Sequence, residues 1–407
     1  SEHYRVYKGD NIYTNDLDKH SHVYKNGICN ICNKACTHGK YKNGICTYCE
    51  YGVEEPQLVG DYYEIANYGN LIWFQQYVDA GNVNINARLT SNIVANENLL
   101  DSSGNVQGTP KYNWVPIGKV YSSGSDSYNG VFDGAGYSIS GLYANGTGDY
   151  WGFFGEVYKS TIKNLSIVDS YFGGKGCSNV GTFIGYSGYD DVNIENCYSS
   201  ATIVGSGYCG GIVGQIKSTV SDCLYNGKIT VNKYSNAIAS DYGGYGKLTN
   251  CYYNENCGLS SDRVTAVTDE QLASGEVAYL LNSDQSAIKW YQNIDKGEKD
   301  NAPTLSSEHY RVYKGDNIYT NDLDKHIHIY NKGICDICNK VCAHEKYEKG
   351  VCSECNYGVE EPQLVDNYYE ISSYGNLIWF QRYVDAGNVR VNAKLITNIT
   401  YTLIVYM

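Results

Sequence analysis

An internal repeat is the feature that most constrains what this chain can fold into. The repeated stretches, each followed by its second occurrence, are residues 1–20 and 307–326, 51–59 and 357–365, and 68–74 and 374–380. Self-similarity over this distance is typical of modular arrays. The chain begins with Ser1, and the similarity fades near Ile399. We therefore expect two copies of one unit, the second incomplete, within a longer protein.

The segments between the repeats differ in kind. The predicted domains are a Cys/His double-knuckle module (1–55), a helix-strand lead-in (56–110), a Gly-rich β-solenoid (111–256), a capping helix with a polar linker (257–306), a second double-knuckle module (307–361) and a truncated second lead-in (362–407). Asn67 is predicted to cap a helix over residues 68–79 that stops at Gly81, and a strand over residues 84–89 should follow. Thr268 and Gln271 form a capping-box signature for a helix that runs through Leu281.

Short polar residues recur at a regular distance in the β-like segment. Asn164, Asn196, Asp222 and Asn250 each lie two residues after an apolar residue, and they are 32, 26 and 28 residues apart. Such spacings match one coil of a solenoid, with these side chains at one corner where left-handed backbone is tolerated. A leucine-rich horseshoe stays as an alternative, although it needs a helical turn in each repeat. The expected fold class is mostly β, a right-handed parallel β-helix with short capping helices, flanked by small Cys/His metal-knuckle modules.

The Gly-bounded strands give this region a resemblance to a known family. Residues 128–134, 139–143, 152–155 and 181–185 resemble the GLUG-repeat surface proteins of anaerobic Firmicutes, and residues 68–74 and 274–281 look like modules that accompany such repeats. The resemblance implies a secreted, wall-associated protein with a parallel β-helix and an adhesive role. Some relatives carry a zinc-protease domain, but this chain has no His-Glu-x-x-His motif, so that activity is not carried over.

A nested duplication runs through the cysteines and histidines of each module. Each half places one His-x-His or Cys-x-His pair before one Cys-x-x-Cys pair, and the sixteen predicted ligands are His20, His22, Cys29, Cys32, Cys36, His38, Cys46, Cys49, His326, His328, Cys335, Cys338, Cys342, His344, Cys352 and Cys355. Structural zinc is held by four such ligands in a closed tetrahedron. We expect structural Zn²⁺ that supplies folding energy to modules with small cores.

Local sequence supports these knuckles. Asn33, Asn339 and Asn356 follow the second Cys of a Cys-x-x-Cys pair, where positive φ is common. The glycines two residues before these pairs, Gly27, Gly44, Gly333 and Gly350, indicate a hairpin.

Two other interpretations of the cysteines remain open. Disulfides suit a secreted protein, but they leave an odd five cysteines per module and do not explain why His is duplicated in register. A single Cys₄ ribbon of Cys29, Cys32, Cys46 and Cys49 would leave Cys36 and His38 unused. In the β-like segment, Cys197, Cys223 and Cys251 take the rank that Leu165 holds in the first coil. A position that accepts Leu or Cys is expected to point inward as a reduced thiol.

Charge and motifs exclude several functions. The net charge of −13 and the pI near 5.1 argue against nucleic acid or anionic membrane as a partner, and no apolar run is long enough to insert into a membrane. Asp133, Asp149, Asp190 and Asp191 are the candidates for a paired-carboxylate site. Asp133 lies in a turn sequence that favours Asp for backbone reasons, and all eight histidines lie outside the solenoid. No catalytic residues and no enzyme activity are therefore predicted.

The expected function is cell-surface adhesion or display, outside the cell and at the wall. The solenoid would be a rigid spacer or a binding face for a surface glycan or protein, on which exposed tyrosines could stack. A carbohydrate-active β-helix enzyme, such as a lyase or glycosidase, and a purely structural wall component are the alternatives. Convergent carboxylates in a groove would favour the enzyme, whereas an aromatic groove would favour the adhesin.

Overall fold

The fold is mostly β, as predicted. The computed structural model describes residues 7–8, 13–14, 21–118, 127–187, 191–217, 219–231, 234–240, 246–283 and 285–399. The chain forms two compact units, Ser1–Val312 and Tyr313–Met407. In the part of the chain that is described, no helix is both long and apolar enough to cross a bilayer.

The first Cys/His module consists of short antiparallel hairpins. Its strands are β1 (Tyr7–Lys8), β2 (Tyr13–Thr14), β3 (Tyr24–Lys25), β4 (Ile28–Cys29), β5 (Tyr41–Lys42) and β6 (Ile45–Cys46). Asn26 and Gly27 both have positive φ, at 50° and 76°, which is the turn geometry that matches the twist of a two-residue hairpin. The predicted hairpins before each Cys-x-x-Cys pair are confirmed.

The first lead-in forms around one helix. Its elements are β7 (Gln57–Val59), β8 (Tyr62–Ile65), α1 (Tyr68–Asp79), β9 (Asn86–Leu89) and β10 (Ile93–Val94). The Asn67 side chain accepts a hydrogen bond from the Asn70 N–H at 2.9 Å, so the predicted cap is confirmed. Strand β9 is shorter than the predicted strand over residues 84–89, because its pairing with β8 begins at Asn86.

Glycines bring the module and the lead-in into backbone contact. The Gly69 N–H donates to the Asn43 carbonyl at 3.0 Å, and a Cβ on Gly69 would overlap the Gly44 backbone. The Asn70 side chain also donates to the Glu54 carbonyl at 2.9 Å. The module is therefore held against the start of α1 with no side chain between the two glycines.

Parallel strands fill residues 131–267, which we call the stacked-strand region. They are β11 (Val131–Asp133), β12 (Ser138–Ser140), β13 (Tyr143–Asn145), β14 (Asp149–Trp151), β15 (Phe154–Val157), β16 (Thr161–Val168), β17 (Tyr171–Gly173), β18 (Ser178–Val180), β19 (Ile184–Ser187), β20 (Asn193–Ser199), β21 (Thr202–Val204), β22 (Val213–Ile216), β23 (Thr219–Ser221), β24 (Leu224–Tyr225), β25 (Lys228–Thr230), β26 (Ala239–Ser240), β27 (Lys247–Thr249), β28 (Tyr252–Asn254) and β29 (Thr265–Val267). One sheet runs β13-β17-β21-β25, and another runs β15-β19-β22-β26.

The largest sheet continues from the lead-in into this region. β9 pairs in parallel with β11, and β11 pairs with β16. Along one column, Ile162, Ile194, Val220 and Leu248 are successive Cα partners. Equivalent residues of successive repeats therefore lie side by side in neighbouring strands.

The predicted left-handed backbone at the four recurring Asn and Asp positions is confirmed. Asn164, Asn196, Asp222 and Asn250 have φ of 51°, 51°, 54° and 49°, in the left-handed region that Asn and Asp tolerate best among non-glycine residues. Asn164 donates its side-chain amide to the Asp133 carboxylate at 2.9 Å, and Asn250 donates to Asp222 at 2.7 Å. These two hydrogen bonds each join positions about 30 residues apart in the sequence.

The core runs through the stacked-strand region. Leu165 is the Cα partner of Cys197, and Cys197, Cys223 and Cys251 are buried free thiols. Burial raises the pKa of Cys223 well above its usual value, and hydrogen bonding with Cys197 adds to the rise. The predicted inward position of these three cysteines is confirmed.

Two helices cover the last strands. They are α2 (Asp269–Ser274), which begins at the predicted Thr268–Gln271 capping box, and α3 (Glu276–Leu281). The prediction of one helix through Leu281 was wrong, because Gly275 has φ of 90° and ends α2. Trp290 packs beneath the helices, and its indole N–H donates to the Asn196 side chain at 3.2 Å.

The second unit repeats the module and the lead-in. Its elements are β30 (Tyr313–Lys314), β31 (Tyr319–Thr320), β32 (Tyr330–Asn331), β33 (Ile334–Cys335), β34 (Tyr347–Glu348), β35 (Val351–Cys352), β36 (Gln363–Val365), β37 (Tyr368–Ile371), α4 (Tyr374–Asp385) and β38 (Asn392–Leu395). The glycine contact also recurs, since the Gly375 N–H donates to the Lys349 carbonyl at 2.9 Å.

Candidate metal centres and a surface groove

Four Cys/His clusters could each hold a metal ion. Cluster 1 contains His22, Cys29 and Cys32; cluster 2 contains Cys36, His38 and Cys49; cluster 3 contains His326, His328, Cys335 and Cys338; and cluster 4 contains Cys342, Cys352 and Cys355. Within each cluster, the candidate ligand atoms all lie within 4.8 Å of one another. Cluster 3 has the four residues that the sequence predicts for one knuckle.

Cluster 3 pairs each histidine with one cysteine. His326 Nε2 lies 3.3 Å from Cys335 Sγ, and His328 Nδ1 lies 3.5 Å from Cys338 Sγ. His326 is 6% exposed and Cys335 is fully buried. In cluster 1, His22 Nδ1 lies 3.6 Å from Cys32 Sγ, which is the same pairing. The fourth predicted ligand of cluster 1, His20, lies outside the described residues.

A tight turn brings the two cysteines of each pair together. In cluster 3, Cys335 ends β33, the Asn339 N–H donates to the Cys335 carbonyl at 2.9 Å, and Asn339 has φ of 59°. Asn33 and Asn356 also have positive φ, and Glu50 takes this position in the fourth turn. The predicted positive φ after the second cysteine is confirmed.

Clusters 2 and 4 are rich in thiols. Cys36 Sγ lies 3.6 Å from Cys46 Sγ, and Cys342 Sγ lies 3.7 Å from Cys352 Sγ. The sequence predicts four ligands for the second knuckle of each module. Cluster 2 contains three of them and lacks Cys46, whereas cluster 4 contains three and lacks His344. All sixteen cysteines are free thiols.

One histidine in cluster 2 and its equivalent beside cluster 4 have buried nitrogens. His38 Nε2 and His344 Nε2 are buried without a hydrogen-bond partner. A Cβ on Gly52 or on Gly358 would overlap the His38 or the His344 ring, so the glycine makes room for the imidazole. A buried polar atom without a partner costs free energy, and a metal bond at that nitrogen would remove the cost. The donor set of these knuckles therefore fits a metal ion.

The thiol pKa values differ between clusters. Burial opposes ionisation of Cys335, but hydrogen bonds from His326 and the Cys338 backbone outweigh it and lower the pKa to about 5. Burial raises the pKa of Cys36 and of Cys342 to about 11, and hydrogen bonding with neighbouring thiols adds to the rise. A metal ion binds the thiolate form of cysteine. A cation in cluster 2 or 4 would therefore favour ionisation of Cys36 or Cys342, which the raised pKa of each thiol otherwise opposes.

The clusters also bear on the alternative cysteine groupings. Cys29 and Cys32 lie with His22, whereas Cys49 lies with Cys36 and His38. This arrangement of the described residues is that of two knuckles in each module and differs from one Cys₄ ribbon.

A groove that the sequence did not indicate lies on the sheet β13-β17-β21-β25. It has a volume of about 450 Å³ and is lined by Asn105, Tyr143, Asn145, Tyr171, Lys228 and Thr230, among others. The Tyr143 and Tyr171 rings lie 5.7 Å apart, and Asn145 donates to the Tyr143 hydroxyl at 2.7 Å. The signal in the sequence is the alternation of Tyr and Asn with buried residues along these strands, which places both on the outer face.

A loop forms the second wall of the groove. The Leu99 and Leu100 N–H groups donate to the Asp169 carboxylate at 2.8 and 2.7 Å. The Thr202 hydroxyl donates to the Gly104 carbonyl at 2.7 Å. The loop is therefore held at two points, by Asp169 just before β17 and by Thr202 on β21.

The candidate carboxylates lie in other contacts. Asp133 accepts from Asn164 and from the Ala135 N–H, and it lies 3.8 Å from Lys163 Nζ. Asp191 lies 4.0 Å from Lys159 Nζ, and Asp149 is exposed on β14. Asp190 lies outside the described residues. Asp133 therefore has the backbone role that its turn sequence predicts.

Comparisons with known proteins add little. No protein-family model matches the chain, and no curated protein matches it. The chain is similar to a candidate immunoglobulin A1 protease from Bacteroides ovatus, with 14% sequence identity and a TM-score of 0.38, over 60% of this chain and 92% of that chain. At that TM-score the likeness supports no inference about fold or activity. The resemblance to GLUG-repeat proteins stays a prediction.

Proposed function

We propose that this is a cell-surface adhesion or display protein. In this proposal a right-handed parallel β-helix is the rigid scaffold, one face of it binds a surface glycan, and structural zinc knuckles brace its N-terminal side. The observation that carries the proposal is the register of the coils, in which Ile162, Ile194, Val220 and Leu248 are successive partners. Coils stacked in this way bury a continuous core along one axis, which suits a spacer.

Zinc is the metal that the clusters fit best. Thiolate and imidazole together are its preferred structural ligands, and a closed set of four leaves no position for water. Cluster 3 offers two imidazoles and two thiols within 4.8 Å. The zinc would therefore stabilise the fold and would take no part in a reaction.

Elemental analysis of the purified full chain tests the zinc. We expect one zinc per cluster, and we expect His328→Ala to lower the content by one. His309→Ala is the matched control, because His309 is paired with Asp300 at 2.7 Å and belongs to no cluster. Protein without zinc whose module cysteines are oxidised would show that disulfides hold the modules instead.

The groove on the sheet β13-β17-β21-β25 is the proposed binding face. It combines the Tyr143 and Tyr171 rings with the Asn145 amide and the Lys228 ammonium. Ligand sites commonly combine apolar or aromatic walls with a few fixed polar groups, and a sugar ring offers both an apolar face and hydroxyls. A surface glycan therefore fits the chemistry of the groove.

A glycan array tests the binding face. We expect the full chain to bind a subset of glycans and Tyr171→Ala to lose that binding. Tyr137→Ala is the control, because Tyr137 is a 37% exposed tyrosine outside the groove. If no glycan binds, the scaffold is a spacer or a wall component. If bound glycans are cleaved, the protein is a carbohydrate-active enzyme.

A further inference from the structure

The second lead-in exposes an apolar face that the first lead-in buries. Leu89 on β9 is 1% exposed, whereas its equivalent Leu395 on β38 is 68% exposed. Leu71 on α1 is fully buried, whereas Leu377 on α4 is 43% exposed. The face of α4 and β38 also lines an open concavity of about 1230 Å³. We call it the open lead-in face.

Differences in sequence do not explain this exposure. Residues 374–380 are identical to residues 68–74, and both helices begin with a side-chain cap at the same position. The strand pairing also matches, since β38 pairs in parallel with β37 as β9 does with β8. The two lead-ins therefore have one local structure in two environments.

The first copy shows what covers such a face. β11 pairs in parallel with the edge of β9 that faces away from β8, and Phe132 is the Cα partner of Ala87. The Phe74 ring on α1 lies 5.9 Å from both the Tyr128 and the Phe132 rings. One coil thus supplies both a strand for the edge and aromatic rings for the helix.

In the second copy, no strand of the described residues covers the corresponding edge. Among the described residues, β38 pairs only with β37, and Ala393, the equivalent of Ala87, is exposed. An open strand edge beside exposed leucines is a template for another strand. The covering element must therefore bring a parallel strand whose inward side chain is a large apolar or aromatic one.

We propose that the open lead-in face is a docking site for a parallel β-coil of the kind formed by residues 127–157, joined to the second lead-in as that coil is joined to the first. The lead-in is then an adaptor on which a β-coil stack begins, and its apolar helix face and strand edge specify the first coil. The proposal rests on the scaffold part of the proposed function and is independent of the metal and of any glycan.

An extended chain tests the proposal. Residues 1–395 are joined to a second copy of residues 90–306, and hydrogen–deuterium exchange is measured by mass spectrometry. We expect α4 and β38 to exchange as slowly as α1 and β9 in the same molecule, whereas in the original chain they exchange faster. As a matched control, the appended copy carries Phe132→Asp, and α4 should then stay fast while α1 is unchanged.

Other outcomes would overturn the proposal. The first is an appended copy that folds and leaves α4 unprotected. The second is an appended copy that stays unfolded, because the identical sequence folds on the first lead-in. The third is a concentration-dependent dimer of the original chain that Leu395→Asp abolishes, which would make a second copy the occupant. If residues 131–267 of the original chain exchanged like unfolded chain, the scaffold itself would fail, and this outcome differs from the other three.

Discussion

Replacing Phe132 with Ala would remove one of two aromatic rings that pack against Phe74 of helix α1. Phe132 is fully buried, and its ring lies 5.0 Å from Phe153, 5.8 Å from Phe154 and 5.9 Å from Phe74. A buried Phe→Ala change costs about 3–5 kcal/mol. Aromatic pairs add about 0.5–1.5 kcal/mol each beyond the area they bury, so we expect the upper part of that range, about 4–5 kcal/mol.

Native-state hydrogen exchange is the suitable assay, because a chain with two compact units need not unfold in one step. A loss of about 4 kcal/mol corresponds to roughly a thousand-fold faster exchange for amides of α1 and β9, up to the limit set by global unfolding. Helix α4 in the second unit should not change. Phe132→Leu should cost far less, since it keeps most of the buried volume.

The result that would refute this reasoning is a loss below about 1 kcal/mol, which is far less than truncation of a packed aromatic costs. In that case α1 would be held by the module and by β8 alone. The inferred role of the coil in covering the lead-in would then be wrong.

Three further predictions concern other parts of the chain. Asn196→Ala should cost about 1–3 kcal/mol in urea unfolding, because it removes the acceptor of the Gln285 and Trp290 hydrogen bonds, and an unchanged midpoint would contradict this. Thr268→Ala should cost about 1 kcal/mol and speed exchange in α2, whereas Thr268→Ser should keep the capping box. In metal-free protein, NMR of labelled cysteines should give a pKa of about 5 for Cys335 and about 11 for Cys342. Because folding lowers the pKa of Cys335, its contribution to stability is lost as the pH falls from about 9 towards 5. Because folding raises the pKa of Cys342, its contribution is lost as the pH rises from about 9 towards 11. Equal pKa values for the two thiols would contradict this prediction.

Local features were predictable from the sequence because their causes are local. The Asn26-Gly27 hairpin, the Asn67 cap and the positive φ of Asn164 follow from what one side chain permits in its own backbone. The spacing of these Asn and Asp residues also matches the strand register, in which Ile162, Ile194, Val220 and Leu248 are successive Cα partners. The knuckle spacing brought His326, His328, Cys335 and Cys338 into one group, and cluster 3 contains those four residues.

Features that depend on distant parts of the chain were not predictable. The groove lies between the sheet that contains Tyr171 and a loop whose Leu99 and Leu100 N–H groups donate to Asp169, so it depends on two separate stretches of the chain. The different exposure of Leu89 and Leu395 depends on the neighbour of each strand, since the surrounding sequences are closely similar. The capping box predicts one helix through Leu281, whereas Gly275, with φ of 90°, ends α2 and begins α3.

The contact between Gly44 and Gly69 has a mechanical consequence. Backbone meets backbone there, and the same contact joins Gly350 to Gly375 in the second unit. A tensile force on the first module would therefore load the Asn43–Gly69 backbone hydrogen bond directly, together with the hydrogen bond from the Asn70 side chain to the Glu54 carbonyl. We therefore expect the first module and helix α1 to move together as one rigid body under load.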